Sequence, residues 1–255
     1  MIIVIADDIT GAAELAGIGL RYGLYVLVAA DVVPAKDTEL LVVYTNTRSM
    51  PEPEAVAVMA AMTEKAKALH PELMYKKTDS ILRGHVLAEL QAQMNVLGVK
   101  KALLVPVNPS LGRTITGGQY FVNGVPVHLA GFANDPEFPI QHSTIREMLR
   151  ADDSLVKLAA NPAALIEDGI TVGEAQTTDD VAAWAAVSET DVLFCGGASF
   201  FDALLRTRYR HREQKQQQTP SLRKPLLFVS GTTFRKNRER IKALSHLACF
   251  MPDAV

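Results

Sequence analysis

Asp7 and Asp8 follow an apolar run, Ile2–Ala6, and lead through Ile9-Thr10-Gly11 into a helical pattern of small residues. Two adjacent carboxylates at the carboxyl end of a strand cannot both be buried without donors, a cation or a polyol ligand. Sugar hydroxyls are such donors, and either carboxylate could also take a proton from one. The competing reading is structural: one aspartate, or Thr10, caps the helix that follows. A second set, Lys76-Lys77-Thr78-Asp79-Ser80-Ile81-Leu82-Arg83-Gly84, gathers cations, a carboxylate and hydroxyls at another strand-to-helix turn. A helix N-terminus there favours an anion, and the planar fork of Arg83 could grip a carboxylate through two parallel bonds. Arg83 lies outside any apolar periodic face, so the sequence predicts that its loss weakens acid binding and leaves the fold intact. The plain alternative is a capped helix with a surface ion pair. A third set runs through Asn108-Pro109-Ser110-Leu111-Gly112-Arg113 and Thr116–Tyr120 to Phe132-Ala133-Asn134-Asp135-Pro136. Arg113 sits in a glycine-flexible loop that could close over a bound acid, while Asp135 before Pro136 also suits an ordinary turn.

Positioning these residues requires an α/β frame. Strand-like runs at Ile2–Ala6, Tyr25–Ala30, Leu40–Thr45, Leu73–Lys77 and Ala102–Val107 alternate with helical patterns at Gly11–Tyr22, Pro53–Leu69 and Val86–Leu97. That rhythm predicts a mainly parallel sheet with helices on both faces. Pro106 to Pro139 interrupts it with Gly, Pro and Asn, and Tyr120–Val127 holds an Asn-Gly pair between apolar runs, a hairpin signal. The fold expected is therefore a parallel α/β sheet with an irregular, hairpin-containing insertion. Further helices are expected at Ser143–Arg150, Asp179–Val187 and Phe200–Arg208, with strands at Ile170–Val172 and Asp191–Cys195. The polar, Gln-rich stretch from Arg206 to Lys224 reads as a solvated helix end and linker, or as a phosphate-binding patch. Beyond it, Pro225–Ser230 reads as a strand and Arg235–Leu244 as a helix. Two segments follow: a domain over 1–224 and the start of a crossover over 225–255.

The 255 residues carry a net charge of −2 and are 48% apolar, which argues against a nucleic-acid partner and against disorder. Cys195 and Cys249 lie far apart in apolar runs and read as inert buried thiols. The first apolar run meets Asp7 within one strand length and has no basic leader, and no long apolar segment follows. A soluble, cytoplasmic protein without membrane contact is expected. Neither GxxxxGK[ST] nor a GxGxxG after the first strand is present, which disfavours a P-loop enzyme and a nicotinamide oxidoreductase.

In order along the chain, ADDITGAAELAG, KKTDSILRGHVLAEL, VPVNPSLGRTITGGQYFVNGVPVHLAGFANDPEFP and FVSGTTFRKNRERI resemble successive motifs of the four-carbon acid sugar kinases. The resemblance implies an ATP-dependent kinase acting on the terminal hydroxyl of threonate, erythronate or a 3-oxo-tetronate. In that family the N-terminal domain holds the sugar acid and a C-terminal domain supplies most of the site for ATP and Mg²⁺. Carried over motif by motif, Asp7, Asp8, Ser80, Arg83, Arg113 and Asp135 become sugar-acid ligands, with Arg83 on the carboxylate and Asp7 or Asp8 as base. Ser230, Gly231 and Thr232 match the crossover turn near the ATP phosphates. The glycine-rich second domain has no counterpart in these 255 residues, so a fragment and a naturally short relative are both open. A non-catalytic sugar-acid-binding or regulatory module is the alternative function, and self-association is left open.

Overall fold

The apolar runs at the centre of the sheet become strands because they lie under helices on both sides and have no wet face, which selects continuous Val, Ile and Leu over alternation; the edge run Val26–Ala29 is partly exposed. The computed structural model describes residues 1–33, 36–152, 155–163, 168–188, 191–209, 227, 229–230 and 235–247. They divide between two units, Met1–Gln216 and Gln217–Val255; the expected boundary at 224/225 lies outside the described residues.

In the first unit the strands are β1 (Ile2–Ala6), β2 (Val26–Ala29), β3 (Leu40–Tyr44), β4 (Leu73–Lys77) and β5 (Lys101–Val105). A second group follows: β6 (Arg113–Thr116), β7 (Gln119–Val122), β8 (Val125–Pro126), β9 (Val156–Ala159), β10 (Gly169–Gly173) and β11 (Val192–Gly196). Eight of them form one sheet in the order β2-β3-β1-β4-β11-β5-β10-β9. Every pairing in it is parallel. The remaining three, β6-β7-β8, form a small antiparallel sheet within the insertion.

The helices are α1 (Ile9–Arg21), α2 (Glu52–Lys67), α3 (Val86–Leu97), α4 (Ile145–Leu149), α5 (Thr178–Ala185) and α6 (Ala198–Arg208). Alternation along β1 assigns the two faces. Ile2, Val4 and Ala6 pack with Ala12 and Leu15 of α1 and with Phe200 and Phe201 of α6. Ile3 and Ile5 pack with Met59 of α2 and Ala92 of α3. The chain leaves β1 into α1 on one face and leaves β4 into α3, which packs on α2, on the other. Helices that diverge from neighbouring strands open a crevice at the carboxyl edge, where open α/β sheets bind ligands. None of the described helices is long and apolar enough to cross a membrane.

Strand β9 and the β6–β7 hairpin were not expected from the sequence. Val156–Ala159 is short and only partly apolar, and it is a strand because it pairs with β10 at the sheet edge. The Asn123-Gly124 turn does join β7 to β8, as its dipeptide predicts. The β6–β7 turn is pinned from outside: Glu174, just after β10, accepts the amides of Gly117 (3.0 Å) and Gly118 (2.7 Å). Trp184 Nε1 donates to the Glu174 carbonyl (2.8 Å), fixing the anchor in turn. Of the strand expected over Pro225–Ser230, half lies outside the described residues, and Leu227, Val229 and Ser230 are not in a strand. In the second unit, α7 spans Arg235–Ala243.

β11 is the central constraint. It enters between β4 and β5 and ends at Gly196, whose φ of 146° suits glycine; an added Cβ would lie 2.1 Å from the Val105 carbonyl oxygen. Gly196→Ala is expected to destabilise the first unit by about 2 kcal/mol or more. Urea unfolding followed by Trp184 fluorescence measures this, and an unchanged midpoint would show that the strand can shift to accept a side chain.

Candidate functional site

Four strand ends deliver the polar and charged residues. After β1, Asp8 caps α1 by accepting the Gly11 amide (2.8 Å), so the structural reading of the acidic pair holds for Asp8. A Cβ added at Gly11 would meet Asp8 Oδ1 at 2.7 Å and Lys77 Nζ at 3.1 Å, so a side chain there would displace the cap. Asp7 lies deeper, with a side chain 5% exposed. After β3, a short turn (Thr47–Ser49) presents Arg48. Its Nε donates to Asp7 (2.8 Å), its Nη1 pairs with Asp8 (3.0 Å), and it lies 3.8 Å from Asp79. Among the described residues Asp7 Oδ1 has no hydrogen-bond partner. Burial pushes the Asp7 carboxyl above the usual carboxylate range, with Lys76 and then Arg48 pulling the other way.

After β4, Asp79 organises the turn. It accepts the amides of Ile81 and Arg83 (both 3.2 Å) and both prongs of the Arg83 side chain, Nε (3.0 Å) and Nη2 (2.8 Å). Burial opposes ionisation here too, but the Arg83 hydrogen bonds and charge outweigh it and hold the Asp79 carboxyl down to about 2. Arg83 Nη1 reaches across to Asp135 (2.8 Å), whose other oxygen accepts the amides of Glu137 and Phe138. The fork predicted for an external acid is thus occupied by two of the chain's own aspartates. Arg83 buckles the insertion to the β4 turn, and its loss is therefore expected to cost stability, against the expectation from sequence that the fold is indifferent to it.

After β5, Asn108 exchanges both backbone hydrogen bonds with Arg113 (2.9 and 3.0 Å), and its Oδ1 accepts the hydroxyls of Ser110 (2.7 Å) and Ser199 (2.9 Å). Arg113 Nη1 donates to Ser80 Oγ, and the guanidinium carbon stands 5.8 Å from the Phe132 ring centre. The buried Tyr120 donates its hydroxyl to the Ser80 carbonyl (2.6 Å). Behind the acidic pair, Lys76 and Glu89 form an ion pair at 2.6 Å, with side chains only 1% and 2% exposed.

One network of contacts therefore includes Asp7, Asp8, Arg83 and Asp135, and the Ser80–Arg113 pair adjoins it through Asp79. Of the residues matched to the ATP phosphates, Ser230 is exposed, while Gly231 and Thr232 lie outside the described residues. Among the described residues no cluster of His, Cys, Asp or Glu could hold a metal ion. Arg48 and Asp79 escaped assignment as site residues. Arg48 follows a strand end as Asp7 does, and that position was its signal; it stands alone in sequence, without the multi-residue pattern that marked the others.

A cluster of carboxylates and guanidiniums at the carboxyl edge of a parallel sheet, where open α/β sheets bind ligands, marks a polar small-molecule-binding α/β domain. The description of the sugar-binding N-terminal domain family matches residues 2–204, and the chain belongs to that family, whose relatives are four-carbon acid sugar kinases. It is 39% identical over 152 residues to a D-threonate kinase of Salmonella typhimurium, covering 58% of this chain and 36% of that one. A D-erythronate kinase of Heliobacterium modesticaldum is 25% identical over 276 residues, covering 98% and 62%. A 3-oxo-tetronate kinase of Brucella melitensis is 33% identical over 156 residues, covering 58% and 36%. The chain thus matches less than two thirds of each of these relatives. Among solved structures, a domain of unknown function from Bordetella bronchiseptica, a domain-swapped dimer with bound citrate, superposes with a TM-score of 0.72 at 27% identity, covering 81% of this chain and 56% of that one. A Haemophilus influenzae protein shares the fold with a TM-score of 0.75 at 21% identity, covering 86% and 59%.

Arg83→Ala is expected to cost about 3 kcal/mol at neutral pH, because Asp79 stays buried without its main partner. A depressed carboxyl contributes stability that is present above its unfolded value of about 4 and lost as pH falls through about 2. The deficit of the variant should therefore shrink in that acid window. Denaturant midpoints at pH 7 and below pH 3 check both; equal midpoints for wild type and variant at pH 7 would restore Arg83 to the ligand role read from its sequence.

Proposed function

We propose that this chain is the sugar-acid-binding part of an ATP-dependent kinase that phosphorylates the terminal hydroxyl of a four-carbon sugar acid. The observation that carries the reading is Asp7: a buried carboxylate, held on one oxygen by Arg48, with its other oxygen free of any hydrogen-bond partner among the described residues. An orphaned, desolvated carboxylate at a strand end awaits a donor, and a sugar hydroxyl is a neutral donor of fitting size. Support comes from the kinases of threonate, erythronate and 3-oxo-tetronate among the relatives, and from the hydroxy-acid citrate bound by the Bordetella protein.

Within this reading the two aspartates divide the work. Asp8 has both oxygens engaged, by the Gly11 amide and by Arg48, and serves to orient. Asp7 accepts the hydroxyl proton, since burial raises its carboxyl and one of its oxygens is left without a partner among the described residues. Bound ATP with Mg²⁺ supplies the phosphoryl group, in keeping with a phosphoryl-transfer site whose main tasks are positioning and charge neutralisation.

A thermal-shift comparison of D-threonate, D-erythronate and 3-oxo-tetronate tests the binding half, since a ligand of the native state raises its melting temperature. At least one is expected to shift the wild type. Asp7→Asn should lose most of that shift while its melting temperature without ligand is unchanged or higher. The sign follows from linkage: a carboxyl raised by folding opposes the folded state once pH exceeds its unfolded value, and the amide removes that penalty. No shift with any tetronate, or a full shift with Asp7→Asn, would sink the assignment.

A further inference from the structure

Five cations border the crevice, and four are neutralised from within. Arg48 holds Asp7 and Asp8, Arg83 holds Asp79 and Asp135, Lys76 holds Glu89, and Lys77 lies 3.7 Å from Glu14 while donating to the Thr78 carbonyl. Arg113 differs. Among the described residues no carboxylate lies within ion-pair distance of it; its side chain meets only the neutral Ser80 hydroxyl and the Phe132 ring. A half-buried guanidinium without a counter-charge is a standing electrostatic deficit that an incoming anion relieves.

Resting on the sugar-acid reading above, we propose that Arg113, rather than Arg83, receives the substrate carboxylate, with Ser80 as its co-donor. The acid thereby lies with its carboxylate toward the insertion and its terminal hydroxyl toward Asp7. Only Nη1 of Arg113 is engaged, leaving the rest of the planar fork for two oxygens of a carboxylate. Ser80 Oγ now accepts from Arg113 and keeps its own proton to donate.

The receptor is held in place before any ligand arrives. The Arg113 backbone is bonded both ways to Asn108, which is itself tied to Ser110 and Ser199. The far end of β6 is bolted to the main sheet where Ile115 donates to the Ala175 carbonyl (3.0 Å) and Glu174 clasps the hairpin turn. Tyr120, on the paired strand, fixes the backbone of Ser80. The two donors therefore come from different segments, 33 residues apart, and meet through these ties. The acidic end of the crevice joins them through the β4 turn: Asp79 precedes Ser80 directly and lies 3.8 Å from Arg48, which holds Asp7. Specificity for an acid over a neutral polyol then resides at one end of the site, and hydroxyl activation at the other.

The experiment is a calorimetric titration of the 255-residue chain with D-threonate and its uncharged carboxamide, D-threonamide, repeated with D-erythronate and its amide. Wild type is expected to prefer acid to amide by at least about tenfold, the scale of one charge-assisted grip. Arg113→Met should bind the amide as wild type does, within about threefold, and lose the preference; Arg113→Lys should recover part of it, since the charge returns without the fork. Should methionine lower the melting temperature, Arg113→Gln keeps an N–H for Ser80 and is read in the same way. A folded Arg113 variant that still prefers the acid as strongly as wild type overturns the proposal. So does a wild type that binds acid and amide alike. A wild type that binds none of the four compounds and no 3-oxo-tetronate rejects the sugar-acid reading itself, an outcome distinct from either of those.

Discussion

Carboxylates crowded at one sheet edge repel one another, and the shape of the crevice depends on the guanidinium set among them. Arg48 touches Asp7 and Asp8 and lies near Asp79, so the ends of β1, β3 and β4 meet around one planar cation. Arginine suits this place because it stays charged when partly buried and offers five donors in a fixed plane. Without it, Asp7 and Asp8 would repel each other with no guanidinium between them. The second guanidinium, Arg83, extends the scheme outward by joining the β4 turn to the insertion. Charge pairing thus performs, at the strand ends, the role that apolar packing performs inside the sheet.

What the sequence made legible divides along the same line. Runs such as Ile2–Ala6 and Leu40–Tyr44 announce buried parallel strands by composition alone, and Asp7-Asp8 announces a site because the carboxyl edge of such a sheet is where ligands bind. Partners were not legible. Arg83 reads as a free fork until its contact with Asp135, 52 residues on, is seen, and nothing local to either residue encodes that meeting. Arg48 was missed for a related reason: its significance lies wholly in what stands across from it, 41 residues away. The β6–β7 hairpin likewise owes its geometry to Glu174, and β9 owes its existence to an edge it completes.

Behind the crevice the molecule tolerates polar groups that packing alone would exclude. Lys76 and Glu89 are paired in the interior, and one turn further along α3 the side chain of Gln93 is buried with neither amide atom hydrogen-bonded among the described residues. An ion pair of this kind is weak evidence for stability, since two well-packed apolar residues often serve as well. Its electrostatic reach is the more telling property: the lysine acts on Asp7 and on Cys195, restraining the rise that burial imposes on each. The Cys195 thiol is nonetheless pushed far up, as befits an inert core side chain.

The position of β11 bears on the order in which the chain acquires its crevice. It is the last strand of the sheet in sequence and lies between β4 and β5, the strands that lead to Ser80 and to Asn108. A nascent chain that has emerged only as far as β10 holds nearly all the residues of the site and still lacks the spacer that sets the two halves the right distance apart. Paired directly, β4 and β5 would close the gap and turn Ser80 and Arg113 out of register. Insertion of a central strand after both neighbours exist requires long-range closure, the slow kind of step in folding. The crevice is accordingly a late product of synthesis, and a chain truncated before Val192 carries its residues without the place where they meet.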